Sequence, residues 1–341
     1  MRFEPDGTPA LARDLALVDE AALLAAWPAW LASCEALAAP GRPHRQQWLA
    51  PCAAAHALQP QRGAQVREFL AGQLDAYRVL GLDGRSGAPR EAALLTGYFE
   101  PEAQGSRVRS AGFAAPLYRL PRVVPSAPRS VIESSGLLRG DELVWLRDAM
   151  EAFFIEVQGS GRVCLQEGGC VRLSYAGNNG RAYRSIGAWL VEQGELRREE
   201  VSMQSIASWA HAHPQRIREL LDQNPRVVFF REGPDRSGKQ GPAGSLGVPL
   251  TPEVSAAVDP RCLPLGAPLL LLPAGDTAPQ GRGLLALAQD TGGAIKGPLR
   301  VDQFRGSGAE AAQAAGPQRG AVTIRLLVPR GVAPAALLGA R

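Results

Sequence analysis

The stretch "GLLALAQDTGGAIKGPLRVD", residues 283–302, passes from a continuous apolar run into a glycine-rich turn that has an aspartate at each end, Asp290 and Asp302, and carries one lysine, Lys296. An apolar run of strand length with no polar alternation is buried on both faces if it is a strand. Two more runs of this kind, "APLLLLPAG" (267–275) and "AVTIRLLVP" (321–329), stand on either side of it. The three together predict a closed barrel in the C-terminal part of the chain. Asp290 then ends a strand at the barrel rim and Asp302 follows the turn beside Phe304, so the two carboxylates are expected to face one cleft.

Moving outward, the chain has 341 residues, more than one core usually serves, which predicts two domains, one of them discontinuous. The 45% apolar and 21% charged composition is globular, and 38 Gly with 28 Pro indicate many turns, hence a strand-rich chain beyond the first hundred residues. Helical spacing runs from Asp19 to about Leu80, and short apolar runs between turn residues begin at "LLTGYFEP" (94–101). A second helical patch follows. "YRSIGAWLVEQG" places Ile186, Trp189 and Leu190 on one face, and "SMQSIASWAHAHPQRIRELLDQNP" opens on Ser202 and ends before Pro225. The strand-like "RVVFF" (226–230) leads into "REGPDRSGKQGPAGS" (231–245), the expected linker.

A net charge of +4 with a pI near 9.0 is too mild for nucleic-acid binding, and no dense basic run with interleaved aromatics occurs. Five cysteines lack the spacing and histidine partners of a zinc site, so no metal is expected. Cys34 and Cys52 could cross-link the helical start, and Cys164 and Cys170 flank a hairpin turn, "CLQEGGC"; either bridge implies an oxidising compartment, and small buried thiols are the alternative. The N-terminus has neither a basic n-region nor an apolar h-region, so no secretion signal is expected. "LASC" (31–34) is weakly similar to a lipidation box but follows an acidic stretch, which makes it part of a helix in the mature fold. No stretch is expected to span a bilayer.

An Asp beside a glycine-rich turn is most often a cap on backbone amides. "GGAIKG" lacks the Walker spacing, the Ser/Thr after Lys296 and a following helix. "DTG" at 290–292 spells the aspartic-protease signature, but one copy would require a homodimer of an oversized subunit. His44, His56, His211 and His213 have no G-x-S-x-G partner, which leaves a serine triad unsupported. By contrast, "VQGSGRVCLQEGGCVRLSYAGNNGRAYRSIG" (157–187) sets Gln158, Ser160, Ser174, Tyr175, Asn178, Asn179 and Tyr183 among seven glycines. Amides, hydroxyls and aromatic faces are what a polysaccharide groove uses, and a polar hairpin is the equal alternative.

Taken in order, "LLTGYFEP", "LYRLP" (117–121), "FFIEVQGSGR" (153–162), "SYAGNNGRAYRSIG" (174–187), "NPRVVFF" (224–230), "GSLGVPLTPEVSAAVDP" (244–260) and "AQDTGGAIKG…VDQFRGSG" resemble the membrane-bound lytic murein transglycosylase A family. The resemblance implies a mainly β fold with a helical N-terminal part (α+β): a discontinuous double-psi β-barrel over 1–98 and 236–341, a second β domain with two helices near its end inserted over 99–235, and a glycan groove between them. It implies cleavage of the MurNAc-β-1,4-GlcNAc bond of peptidoglycan without water, leaving a 1,6-anhydro end. Asp302 of "VDQFRG" is then the essential acid and Asp290 its support. Thr96, Gly97, Tyr98, Gln158, Ser160, Tyr175, Asn179 and Tyr183 line or support the groove, and Lys296 orients Asp290 or meets an acidic group of the glycan.

No cofactor is implied; the partners are peptidoglycan glycan strands and other cell-wall enzymes, met by a monomer in the periplasm, and the full-length form is anchored at the outer membrane as a lipoprotein. An expansin-like murein-binding module is the alternative, disfavoured by the aspartate pair. A general acid must keep its proton near neutral pH, so Asp302 should be partly desolvated or close to another carboxylate, and Asp290 is the obvious neighbour.

Overall fold

The computed structural model describes residues 1–84, 86–233, 241–274 and 282–338. The chain divides into two compact units: Met1–Tyr98 with Lys239–Gly306 and Pro317–Arg341, and Phe99–Gly238 with Ser307–Gly316.

In the first unit the three apolar runs are adjacent strands. Pro268–Pro273 lies between Leu284–Asp290 and Arg319–Pro329, antiparallel to both, with Leu269 opposite Ala286 and Leu326. Leu269, Leu270, Leu271 and Leu272 are all buried, which explains the unbroken apolar pattern: one face fills the barrel and the other is covered by helices. Leu284–Asp290 runs parallel to the short strand Ser255–Ala257, itself antiparallel to Arg300–Ser307. Ala93–Glu100 lies beside Arg300–Ser307 and returns to Arg319–Pro329, Thr96 opposite Arg319, closing a six-stranded ring. This is the discontinuous double-psi β-barrel expected from the sequence. The same edge of Arg319–Pro329 that meets Ala93–Glu100 continues to Leu74–Leu82, which carries Arg2–Asp6 beyond it.

Helices Glu20–Ala38, Arg45–Ala57 and Gly63–Gln73 cover this barrel. Asp19 starts the first of them by accepting from the amides of Ala21 and Ala22. Trp30 meets Trp48 edge-on at 5.9 Å and Trp27 meets Phe69 at 5.0 Å, which ties the three helices together. Gln289 on the barrel strand donates to the Ala29 carbonyl and Ser33 Oγ, fixing the first helix to the sheet.

Two expectations change here, and one open alternative is decided. The helical pattern ends at Gln73, and Leu74–Leu82 is a strand: hydrogen bonds on both of its edges outweigh the helical spacing of "LDAYRVL". Helix Glu20–Ala38, at 19 residues and a mean hydropathy of 1.4, does reach a membrane-spanning length, but it buries Leu23, Trp27, Trp30 and Leu37 in the core as a helix of a folded domain does. Cys34 and Cys52 are buried free thiols rather than a bridge, and burial first, then contact with Cys52, pushes the Cys34 thiol far up.

The second unit is a closed six-stranded barrel in the order Val228–Gly233, Ala115–Arg119, Glu142–Leu146, Glu102–Ser106, Ser160–Leu165 and Cys170–Asn178. Cys164 and Cys170 form a disulfide across the hairpin turn. Ile186–Glu192 is helical as expected, whereas the stretch opened by Ser202 is two helices, Met203–Ala212 and Ile217–Asp222, because Pro214 cannot continue the first. Helix Gly308–Ala315 belongs to this unit, although its sequence position had assigned it to the barrel domain. Of the expected linker, residues 234–240 lie outside the described residues.

Arg129 anchors the second unit. Its guanidinium is buried and bonds Glu156 Oε2 at 2.8 Å, Glu133 Oε1 at 2.9 Å, and the carbonyls of Asn224 and Arg226. Arg129→Met leaves the Glu156 carboxylate buried without its cation and is expected to cost about 3–5 kcal/mol, read from guanidinium unfolding. A loss below 1 kcal/mol would show that the cluster is dispensable.

Candidate active site

The two aspartates meet through a single irregularity. Strand Ser255–Ala257 pairs Ser255 with Leu287 and Ala256 with Ala288, but a bulge then sets Ala257 opposite Asp290 rather than Gln289. On its other side Ala257 is opposite Asp302. Directly opposed residues share a face, so both carboxylates rise from one face with only an alanine methyl between them, their Cα atoms roughly 10 Å apart by strand spacing. Gln289, one residue earlier, points the opposite way into the helices. Without the extra residue the faces would be exchanged.

Asp302 is half-buried, and its Oδ1 accepts a hydrogen bond from Thr96 Oγ1. Thr96 Oγ1 in turn accepts from Arg300 Nη1 at 2.6 Å. A guanidinium can only donate, so Arg300 fills one lone pair of Thr96 Oγ1 and leaves its hydroxyl proton for the Asp302 carboxylate. Among the described residues no donor reaches Asp302 Oδ2. Desolvation pushes the Asp302 pKa above the usual carboxylate value; the Thr96 bond and the Arg300 charge oppose this, and the Asp290 charge adds to it.

Asp290 is surrounded by donors. Tyr98 Oη donates to its Oδ2 at 2.8 Å, and the amide and hydroxyl of Ser245 donate to its Oδ1 at 3.0 and 2.9 Å. Ser245 Oγ also meets Thr291 Oγ1 at 2.7 Å. Burial, followed by the Asp290 charge, holds the Tyr98 phenol well above its ordinary pKa, so it stays a neutral donor; its ring leans on Phe304 at 5.3 Å. Thr96 and Tyr98 are two residues apart on one strand and so share a face, one serving each aspartate, with Gly97 between them. The turn itself is held by Asp259, which accepts from the Gly297 amide at 2.8 Å where a φ of 86° requires glycine. Hydrogen bonds from Arg261 keep the Asp259 carboxyl well below the usual range.

The remaining expected residues divide. Lys296 is exposed and reaches the Gly292 carbonyl at 3.5 Å; Asp290 is oriented by Ser245 and Tyr98 instead. Asn179 is buried and turned inward: its amide donates to the carbonyls of Ala127 and Pro225 and its oxygen accepts from the Val227 amide, so it locks a loop of the second unit. Tyr175 and Tyr183 are exposed on the second unit. Ser160 stands opposite Ser174 in the same hairpin, and the Gln158 amide contacts Met203 Sδ at 3.6 Å.

Sequence reading missed Arg300 and Ser245. Arg300 carries a usable signal, lying two residues before Asp302 and hence on its side of the strand. Ser245 has none, being 45 residues from Asp290. It arrives because the Gly244 backbone lies so close to Gln289 that a Cβ there would sit 2.5 Å from the Gln289 carbonyl oxygen, while Leu246 N donates to that oxygen at 3.0 Å.

Residues 94–231 match the MltA specific insert domain and residues 254–328 the 3D domain. The membrane-bound lytic murein transglycosylase A of Escherichia coli (strain K12) is 36% identical over 262 residues, covering 74% of this chain and 69% of that protein. The chain belongs to the membrane-bound lytic murein transglycosylase A family. Among solved members, MltA from Neisseria gonorrhoeae superposes with a TM-score of 0.80 at 29% identity, over 97% of this chain and 94% of that one. E. coli MltA with bound chitohexaose gives 0.68 at 28% identity, over 96% and 92%. The lytic transglycosylase LtgG of Burkholderia pseudomallei gives 0.63 at 39%, over 97% and 96%. In family terms Asp290 and Asp302 fall in the 3D match, Thr96 and Tyr98 at the start of the insert match, and Ser245 between the two.

A carboxyl whose folded pKa lies above its unfolded value incurs a charging penalty that is absent below the unfolded value, grows as pH rises, and is complete above the folded value. Asp302→Asn, which keeps an oxygen for Thr96, is therefore expected to melt higher than the parent protein at pH 7, with the difference closing below about pH 4. Calorimetric melts across that range test it, and a variant less stable at pH 7 would contradict the raised pKa.

Proposed function

We propose that this protein is a peptidoglycan lytic transglycosylase that breaks the β-1,4 bond between N-acetylmuramic acid and N-acetylglucosamine without water. The observation that carries the reading is the state of Asp302: desolvated, with one oxygen occupied by Thr96 and the other without a donor among the described residues, beside a second carboxylate engaged by donors of its own. The likeness to E. coli MltA, solved with chitohexaose, supports a glycan as ligand.

In this reading the proton resides on Asp302 Oδ2, since Thr96 fills Oδ1. It passes to the glycosidic oxygen as the C1–O4 bond breaks, and the muramyl C1 acquires oxocarbenium character. The C6 hydroxyl oxygen of the same sugar attacks C1, and its proton goes to the Asp302 carboxylate, restoring the acid. One carboxyl serves twice, and no second carboxylate is needed to position water as in an inverting glycosidase. Asp290 raises the proton affinity of Asp302 and binds Tyr98 and Ser245 on the same face. Tyr175, Tyr183, Ser160 and Gln158 supply stacking faces and polar groups for the glycan.

The reading carries with it a barrel domain over 1–98 and 236–341 and an insert over 99–235, with Ser307–Gly316 joined to the insert. It also carries a monomer that meets glycan strands and other cell-wall enzymes in the periplasm, anchored at the outer membrane. The Cys164–Cys170 disulfide supports an oxidising compartment.

Purified murein incubated with the protein is expected to yield anhydro-muramyl ends by mass spectrometry; reducing ends alone would mean hydrolysis and defeat the proposal. Asp302→Asn is expected to lower the rate at least about 100-fold, the usual contribution of a general acid. The rate should fall as pH rises through the Asp302 pKa. Thr96→Val removes a bond that holds that pKa down, so the alkaline limb of its pH–rate profile should move to higher pH; movement to lower pH would refute the assigned direction of the Thr96 bond.

A further inference from the structure

Strands Ala93–Glu100 and Arg300–Ser307 are joined at three places that advance in the same direction. The Leu94 amide donates to the Leu299 carbonyl at 2.9 Å, Thr96 Oγ1 donates to Asp302, and Ser307 Oγ donates to Glu100 Oε2 at 2.6 Å. The pair is therefore parallel, and the Thr96–Asp302 bond lies between two outer ties. The first tie is an ordinary backbone bond. The second is made by Glu100, which is wholly buried and also pairs with Arg172 Nε at 2.9 Å.

This second tie depends on one backbone irregularity. Asp302 and Ser307 are five residues apart, so in a regular strand their side chains would leave opposite faces. Gly306, at φ 110°, turns the chain so that Ser307 reaches Glu100. Glu100, at even spacing from Thr96 and Tyr98, continues their face. A buried carboxylate without partners is costly, so its hydrogen bond from Ser307 and its ion pair with Arg172 are strongly enforced, and the Ser307 bond sets the offset between the strands. A shift of one residue there would carry the Thr96 hydroxyl away from Asp302.

We propose that Glu100 is a positioning residue for Asp302: by accepting from Ser307 Oγ and pairing with Arg172, it fixes the offset of the two strands that hold Thr96 against the acid. This rests on the proposed function for its kinetic consequence but not for its structural one. Loosening the tie lengthens or breaks the Thr96 bond, and Asp302 then behaves as it does in Thr96→Val, while substrate affinity is left largely alone.

The test uses the full chain labelled with 13C in its Asp carboxyl groups, following the Asp302 signal by NMR titration, alongside kcat and KM for anhydro-product release from murein across pH. Glu100→Ala is expected to raise the Asp302 pKa in the same direction as Thr96→Val, and to lower kcat on the order of 10-fold with KM within about twofold, as a small misplacement of a reacting group does. Ser307→Ala, which keeps the Glu100–Arg172 pair and hence the fold, should shift Asp302 the same way by less. The double variant Glu100→Ala, Thr96→Val should shift Asp302 no further than Thr96→Val alone.

An unchanged Asp302 titration in folded Ser307→Ala and Glu100→Ala overturns the proposal, whatever their stability, as does full additivity in the double variant. If the parent protein releases no anhydro product, the functional reading fails while the titration still decides the role of Glu100.

Discussion

The site depends on one extra residue in one ladder. Where Ala256 passes to Ala257, the parallel pairing with Leu284–Asp290 skips a position, and that skip decides which of two adjacent polar residues faces the site. Gln289 goes to the helices, where its amide bonds Ala29 and Ser33, and Asp290 goes to the face that Asp302 already occupies. The strand between the aspartates is small throughout, Ser255, Ala256 and Ala257, so nothing projects between them. A bulge bends and twists its strand at some cost to pairing. Here the bulge is held by Gln289 on one face and by Ser245 and Tyr98 on the other, so the cost is met by bonds the site itself uses.

Shared position does not make the carboxylates equivalent. Among the described residues, Asp290 is contacted by three donors spread over both oxygens, whereas Asp302 has one donor on one oxygen and a neighbouring negative charge. Burial raises the proton affinity of Asp302, and Asp290 adds to it. Two titratable groups whose surroundings differ in this way can divide acid and support roles without differing in residue type. Thr96 occupies one Asp302 oxygen, and Arg300, a residue with no acceptor, donates to the Thr96 oxygen and leaves the hydroxyl proton for the carboxylate.

Much of this was legible from the sequence. The barrel could be read from "LLLL" and "LLALA" because strands buried on both faces need no polar alternation, and the two aspartates could be placed on one rim because a glycine-rich turn joins them. Leu74–Leu82 was read as helix because its apolar spacing fits both periods, and only the partners on its two edges decide between them. An asparagine amide suits a sugar and a backbone carbonyl equally well, and only the fold shows that the Asn179 amide is buried against two backbone carbonyls, a placement that a sequence does not display. Ser245 and Arg300 needed the folded ring. The first is remote in sequence, and the second is an arginine whose value lies in which hydroxyl it meets.

The separation of these residues along the chain also explains why an inserted domain is tolerated. Thr96 and Asp302 are 206 residues apart, and most of that interval is the second unit. Closing a flexible loop grows costlier only as about (3/2)RT ln n, so lengthening the connection several-fold adds roughly 1–2 kcal/mol. The inserted unit reduces even this, since it has its own closed barrel, its own buried arginine cluster and its own disulfide, and once folded it behaves as a short connection. The Thr96–Asp302 bond therefore needs no sequence proximity. It needs two strands held at one offset, which a parallel pair inside a closed ring provides.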